Sequence, residues 1–440
     1  MAELDGATAP AAAEEHNAAD ASAYEKHLFG KIAWRILPIV ILAYIVNFLD
    51  RTNVSFAALT MNKDLGLTST EFGVGAGMLF FSYCLFEVPS NVALYKVGTR
   101  LWLARIMVTW GIVSAATIFV VGPYSFYSLR FLLGMAEAGY FPGVAFYITL
   151  WFPKEYRAWI YAWFLLGIPA SAVIGGPLST ALLELNGALG LAGWKWMFLV
   201  EALPAVLLGI LMLILMVDEP RKAAWLTQQD KDYIARRLAA EPKERERKHL
   251  WESLKDYRVA LLALIQFSYT IGSYGVAIFL PLILKAQGFG NLGVGWLTAL
   301  TNVAACVSML VWARFIDRSG KSIFHLAVTC LVSGLGLILA VSTGSFIPAY
   351  IGLTLAVIGT NTARAVLWTI PTRFLTGLAA AGGLAMINSV GVFGGFVGPS
   401  IMGFMKDATG SYNGGLLAMS GFLFFAFALA LAMRQLIARE

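Results

Sequence analysis

The run "ILPIVILAYIVNFLDRTNVSF" (Ile36–Phe56) decides how the rest of the chain is read. Its first part is unbroken apolar sequence. With its flanks it reaches the ~20 residues that a helix needs to cross a bilayer. It then runs, with no turn signal, into Asp50 and Arg51. A charge at the centre of a spanning helix costs roughly 2.5–3.5 kcal/mol, so two charges inside such a run call for a polar interior. The composition agrees with a membrane chain. Of 440 residues 59% are hydrophobic and 13% charged, and mean hydropathy is +0.72, whereas soluble domains carry about 25% charged residues. The net charge of +6 is spread over breaks between apolar runs and gives no reason to expect nucleic acid as a partner.

Twelve comparable runs follow one another, at 32–57, 72–96, 101–121, 124–148, 157–184, 194–217, 258–285, 291–314, 323–343, 346–374, 377–405 and 411–435. They are continuous rather than alternating, which argues against a β-barrel. The expected fold is therefore an all-α integral membrane protein with twelve transmembrane helices in two pseudo-symmetric six-helix halves. Residues 1–30, polar and alanine-rich, are expected to be a disordered cytoplasmic tail. An N-terminal bundle over 31–217 and a C-terminal bundle over 258–440 flank a charged cytoplasmic linker at 218–257. Lys and Arg crowd the N-terminal flank, the linker and alternate breaks, such as Lys96, Arg100 and Arg105, then Arg314, Arg318 and Lys321, then Arg373. By the positive-inside rule both termini are cytoplasmic. The linker mixes acids with bases and reads as a solvated segment, the alternative being a basic loop that touches anionic lipid head groups. Trp194 and Trp196 read as an interfacial anchor of span six.

The two halves share an internal spacing. Gly98 in "YKVGTR" and Gly320 in "DRSGKS" are 222 residues apart (320 − 98). The Gly-Pro pairs beginning at Gly176 and Gly398 have the same offset (398 − 176 = 222), as do Phe152 and Phe374. One offset at three landmarks points to a duplicated six-helix unit.

Charges inside the spans are the functional candidates. Span four carries Arg130 and Glu137, seven residues apart and so on nearly one face; span one carries Asp50 and Arg51. A guanidinium suits a planar carboxylate through paired hydrogen bonds, so Arg51 or Arg130 can hold an organic anion. Burial and a neighbouring cation pull a carboxylate's proton affinity in opposite directions, so Asp50 and Glu137 can bind and release protons. The bland alternative is a pair of buried salt bridges that only lock spans one and four, although buried pairs are a poor route to stability. Arg364 is a fifth intramembrane charge, and Asn361, Arg364 and Trp368 share a face at i, i+3 and i+7. It either reads a second polar group on a ligand or snorkels to the surface. Tyr83, Tyr274, Asn302 and Asn388 complete the polar candidates for substrate contact. Glu87 and Glu201 read as hydrogen-bonding partners of neighbouring helices, and His325 as a membrane-surface residue. Cys84, Cys306 and Cys330 lie apart in apolar runs and read as small core residues.

Several segments resemble a known family. "ARFIDRSGK" (Ala313–Lys321) is similar to the loop signature of the major facilitator superfamily, with Ala313 where Gly is usual, and "NVALYKVGTR" to its degraded N-terminal copy, with Tyr95 for the usual Asp. "NFLDRTNVSFA", "FEVPSNVAL", "RFLLGMAEAGYFPG", "WFPKEYRA", "AAAGGLAMINSVGVFGGFVGPSIMG" and "KDATGS" resemble the anion:cation symporter family within it. That resemblance covers nearly all the spans. It implies permeases of the tartrate, phthalate, hexonate, allantoate or hydroxyphenylacetate type, moving an organic carboxylate inward with a cation, usually a proton. It also implies that Asp50 and Glu137 carry protons and that their basic partners contact or gate the anion. Span ten departs from the family's "GPFW"-like stretch with "NTARAVLW" (Asn361–Trp368), and span eight has "LTNVA".

The expected function is thus a proton-coupled secondary transporter importing an organic anion, a dicarboxylate or a hydroxy or sugar acid. The alternatives are an organic-anion exchanger or uptake of an aromatic carboxylate. The expected place is a bacterial inner membrane, as a monomer, with no metal and no cofactor. No HExxH, GxSxG, phosphate loop or metal-spaced Cys/His cluster occurs, so an enzyme is not expected.

Overall fold

The computed structural model describes residues 8–165, 167–240, 256–371 and 377–437. The first six spans are α1 (Thr8–Leu65), α2 (Ser69–Val97), α3 (Thr99–Ala115), the bent pair α4 (Pro123–Glu137) and α5 (Tyr140–Trp151), the pair α6 (Lys154–Leu165) and α7 (Gly167–Leu183), and α8 (Gly193–Leu215). A linker helix, α9 (Gln228–Ala239), follows. The last six are α10 (Tyr257–Ala286), α11 (Asn291–Ser319), α12 (Ser322–Ser342), α13 (Phe346–Leu367), α14 (Gly377–Thr409) and α15 (Asn413–Ile437). Among the described residues eleven helices are long and apolar enough to cross a membrane, counting α4–α5 as one. The expected fifth span is the α6–α7 pair. The outward faces stay apolar, as at Leu207, Ile214, Leu300, Leu310 and Phe404, because lipid rather than water covers them. α13 stops at Leu367, short of the expected residue 374. Pro371 lies ahead, and the residue before a proline is pushed out of the helical region.

Two expectations are corrected. The tail expected to be disordered through residue 30 is helical from Thr8. Leu28, Phe29, Ile32 and Ala33 recur on one face and are buried. The Tyr24 hydroxyl donates to Asp230 at 2.5 Å and the Tyr233 hydroxyl to Glu25 at 2.7 Å. Arg237 pairs with Glu25 at 2.9 Å. The linker helix is thereby strapped to the start of α1. Burial works against the Asp230 carboxylate, but hydrogen bonds from Tyr24 and Thr227 outweigh it and hold its pKa below the ordinary range. Trp194, expected at the interface, is instead buried and donates to Asp64 at 2.9 Å, while Trp196 caps the Ala188 carbonyl at 2.9 Å.

The repeat offset reappears as packing. A Cβ on Gly73 of α2 would meet the Pro399 carbonyl of α14 at 2.2 Å, and one on Gly295 of α11 would meet the Gly176 carbonyl of α7 at 2.6 Å. Gly73 and Gly295 differ by 222, as do Pro177 and Pro399. Each α2-type helix therefore presses a bare backbone into the Gly-Pro break of the opposite half. Phe374 and Arg373 lie outside the described residues. Both contacts lie at the end of the bundle where α2 and α11 begin. There Asp407 of α14 accepts from the backbone N–H of Ser69 at 3.1 Å and of Thr70 at 2.7 Å, capping α2 from the other half. Asn291 of α11 donates to Glu184 at 3.2 Å.

Candidate functional site

A cavity of about 210 Å³ lies between the halves. Its lining includes Arg51, Tyr83, Tyr274, Asn302, Asn361, Arg364, Trp368 and Asn388, which is eight of the expected site residues. Asp50, Arg130 and Glu137 do not line it. The reason is local. Arg51 follows Tyr44 and Asn47 at i, i+3 and i+7, all facing the cavity, whereas Asp50 points about 100° away.

On the N-terminal wall Arg51 Nε donates to Glu137 Oε2 at 2.8 Å, and Asn47 Nδ2 donates to the same oxygen at 3.1 Å. The guanidinium also sits over the rings of Tyr83 at 4.8 Å and Phe48 at 5.3 Å. Glu137 owes its place to the sequence "AEAGYFPG". It is the last residue of α4, and Gly139 takes φ +89°, a left-handed region that suits glycine. A Cβ at Gly139 would meet Ser90 Oγ at 2.4 Å. That hydroxyl fills the break by donating to the Ala138 carbonyl at 2.6 Å.

Behind this wall lies a sealed polar cluster. Asp50 is 1% exposed and Glu137 0%. Asp50 accepts from Asn53 Nδ2 at 2.8 Å, from Ser114 Oγ at 2.5 Å and from the Trp110 indole. Arg130, 1% exposed, lies among Glu137, Asp50 and Arg51. None of its three guanidinium nitrogens has a hydrogen-bond partner among the described residues. The expectation that Arg130 contacts the anion directly is therefore corrected for this conformation. It faces the buried acids rather than the cavity, on the same face of α4 as Glu137.

Among the described residues the opposite wall carries one cation. Arg364 sits over the Tyr274 ring at 5.6 Å and donates weakly to Ser273 Oγ at 3.4 Å. It has no carboxylate partner among the described residues. It lines the cavity rather than snorkelling away. Tyr44 lies within electrostatic reach of both Arg51 and Arg364. Asn388 crosses to the other half and donates to Glu87 at 2.9 Å, the helix-bridging role read for Glu87. Ser179 donates to Glu201 at 2.7 Å, again between helices. His325 contacts Ser319 at 2.7 Å near the α11–α12 turn.

Tyr44, Asn47, Gln266, Tyr269 and Thr270 also line the cavity, and the sequence reading missed them. Gln266 Oε1 and the Tyr269 hydroxyl are buried without partners. A helical projection holds the signal. Gln266, Thr270 and Tyr274 recur at i, i+4 and i+8, as a polar stripe in an otherwise apolar span. Among the described residues no group of three His, Cys, Asp or Glu could hold a metal. The arrangement offers an anion two cationic walls, one of them neutralised by the Glu137 carboxylate.

Comparison with known proteins bears on this arrangement. The sequence profile described as Major Facilitator Superfamily matches residues 40–399. Two proteins of Agrobacterium vitis, each named "Putative tartrate transporter", are 46% and 48% identical to this chain. They match over 93% and 91% of it and over 92% and 93% of their own lengths. Among solved structures, a bacterial homologue of the human lysosomal transporter Spinster, crystallised inward-facing and unoccupied, superposes with a TM-score of 0.75 at 18% identity. That match covers 91% of this chain and 97% of that one, a likeness of fold.

Proposed function

The chain belongs to the Major Facilitator Superfamily, a family of transporters and not of enzymes, and from that premise we propose that it imports an organic dicarboxylate or hydroxy acid together with protons. The two Agrobacterium vitis proteins named "Putative tartrate transporter", at this identity, support an organic acid as cargo. The observation that carries the reading is the unequal pair of cations. Arg51 is held by Glu137 at 2.8 Å, while Arg364 across the cavity has no acidic partner among the described residues.

The coupling follows from charge balance. While Glu137 is ionised it occupies Arg51, and an arriving carboxylate must compete with it. A proton on Glu137 releases the Arg51 guanidinium to the substrate, so proton and anion bind better together than apart. Arg364 then meets the second acidic or acceptor-rich end, with Gln266 and Tyr269 available to hydroxyl groups. Asp50, beside Arg130, is the second proton carrier. The seal made by α2 against α14 and by α7 against α11 closes one end of the cavity, as alternating access requires. In the orientation set by the positive-inside rule, that end faces away from the cytoplasm of a bacterial inner membrane.

The test uses purified protein in de-energised vesicles. Adding tartrate outside is expected to alkalinise the medium as protons enter with the anion. Uptake that instead needs an anion preloaded inside, with no pH change, identifies an exchanger and overturns proton coupling.

A further inference from the structure

The seam between α2 and α14 holds a carboxylate that the transport reading does not use. Glu87 of α2 is 7% exposed. Its Oε1 accepts from Asn388 Nδ2 of α14 at 2.9 Å, and its Oε2 is buried with no hydrogen-bond partner among the described residues. Among those residues it has no ion-pair partner either. The cation of its surroundings is Arg51, whose guanidinium sits over the ring of Tyr83 at 4.8 Å, one helical turn before Glu87. Beside this contact the Cys84 thiol donates to the Ser389 carbonyl at 3.4 Å, so two neighbouring pairs set the register of α2 on α14. Tyr83 and Asn388 line the cavity, whereas Glu87 lies just outside its lining.

An amide has one donating and one accepting end, and an ionised carboxylate only accepts. Glu87 therefore takes the N–H end of Asn388 and leaves the carbonyl end. Asn388 Oδ1 accepts no hydrogen bond from the described residues and, unlike Glu87 Oε2, is not buried; the open space that Asn388 borders is the cavity. A second amide repeats the pattern. Gln266 of α10 lies against the α14 backbone at Gly391, where a Cβ would meet its Cδ at 2.4 Å. It lines the cavity, and its Oε1 is buried without a partner. Gly391 follows Asn388 by three residues, on one face of α14, so this wall offers two amide carbonyls in succession. A neutral amide opposite Asn388 pairs with it either way round. A carboxylate fixes which way, and that is what a charge so costly in lipid supplies here.

We propose that Glu87 is a positioning residue: it holds the Asn388 amide with its carbonyl toward the cavity, so that this wall reads a hydroxyl group of the substrate. A substrate hydroxyl donates to that carbonyl. An unsubstituted dicarboxylate brings only acceptors, leaves the carbonyl unmet and sets lone pairs against it. With the carboxylates of a ligand held at Arg51 and Arg364, hydroxyl groups on the carbons between them meet Asn388 and Gln266. The favoured cargo is then a dicarboxylate that carries hydroxyl groups between its ends, a selection that rests on the reading of this cavity as an organic-acid site.

Tartrate and succinate share their two carboxylates and differ only in the hydroxyl groups of tartrate. Calorimetry on the purified full chain, at one mildly alkaline pH where both are dianions, gives the ratio of their affinities. The wild type is expected to prefer tartrate by at least about tenfold. Glu87→Gln is isosteric and keeps the bridge to Asn388, but pairs with it either way round. The preference is expected to fall roughly two- to tenfold in that variant, whereas a Glu87 that only ties α2 to α14 leaves the ratio unchanged. Asn388→Leu should lose the same preference, and the double variant no more than Asn388→Leu alone, because Glu87 acts through Asn388. An unchanged ratio in Glu87→Gln, additive losses in the double variant, or equal wild-type affinity for the two ligands overturns the proposal and leaves the organic-acid reading standing. A wild type that binds neither ligand overturns that reading, and the proposal with it.

Discussion

Arg51 Nε lies 2.8 Å from Glu137 Oε2, so the cation best placed to receive a substrate carboxylate is already occupied by one from the protein. On the proposed coupling, this internal anion is what a proton neutralises before the cargo takes its place.

Glu137→Gln mimics the protonated state. Binding of the organic acid should persist and lose most of its pH dependence, while accumulation driven by a pH gradient is lost. Equilibrium binding across pH, paired with vesicle uptake, checks this. A variant that still accumulates substrate against its gradient would show that the proton rides elsewhere.

Arg364→Ala removes the cation of the opposite wall that has no acidic partner among the described residues. A charge-assisted hydrogen bond contributes about 1.5–3 kcal/mol, so affinity for a dicarboxylate should fall roughly ten- to hundredfold, with little change for its mono-amide. Equal losses for both ligands, measured by calorimetry, would mean that Arg364 does not read the second group.

Arg130 and Arg51 should separate. Arg51→Lys keeps charge but not the planar fork that suits a carboxylate, and is expected to weaken binding. Arg130→Lys, which lies behind the wall, should leave affinity nearly intact and instead alter the pH dependence of uptake through Asp50. Matching affinity losses in the two variants would argue that Arg130 enters the cavity in another conformation.

Asp407 caps α2 from the opposite half, and a lost cap costs about 0.5–2 kcal/mol. Asp407→Ala should therefore shift the equilibrium away from the sealed state by roughly two- to thirtyfold. Labelling of a cysteine introduced on that side of the cavity, with and without the change, reads the shift. No gain in labelling would show that Asp407 does not hold the seal.

Gly73 and Gly295 stand where two backbones meet. Gly73→Leu should block the sealed state outright, because even a Cβ would lie 2.2 Å from the Pro399 carbonyl. Transport should be abolished while the protein still inserts and purifies as a monodisperse species; full transport activity would refute the packing.

Much was legible in the chain because it depends on local properties. Hydropathy over 20 residues sets the spans, and the spacing of Lys and Arg sets their expected orientation. The 222-residue offset revealed the duplication, which the packing of Gly73 and Gly295 repeats. Asp50, Arg51, Arg130, Glu137 and Arg364 stood out because lipid makes any charge conspicuous. The tail was misread because a short apolar stripe at Leu28 and Phe29 is weak by itself and gains meaning only where Phe29 packs against Phe152 and Tyr156 and Tyr24 and Glu25 bond to α9. Gln266 was overlooked because a neutral amide in an apolar run is far less conspicuous than a charge.

What the sequence by itself determined was the solvent, the number of crossings and the inventory of buried charges, since each follows from residue type and helical period. Which of those charges faces the cavity was decided only by the tertiary structure. The packing of α4 buries Arg130 and Glu137 on one face, and the bond between α1 and α4 gives Glu137 to Arg51. The packing of α10 against α13 leaves Arg364 beside Tyr274, without an acid among the described residues. Helical period sets the angle between side chains on one helix, but how that helix is bent and rotated against its neighbours depends on residues hundreds of positions away.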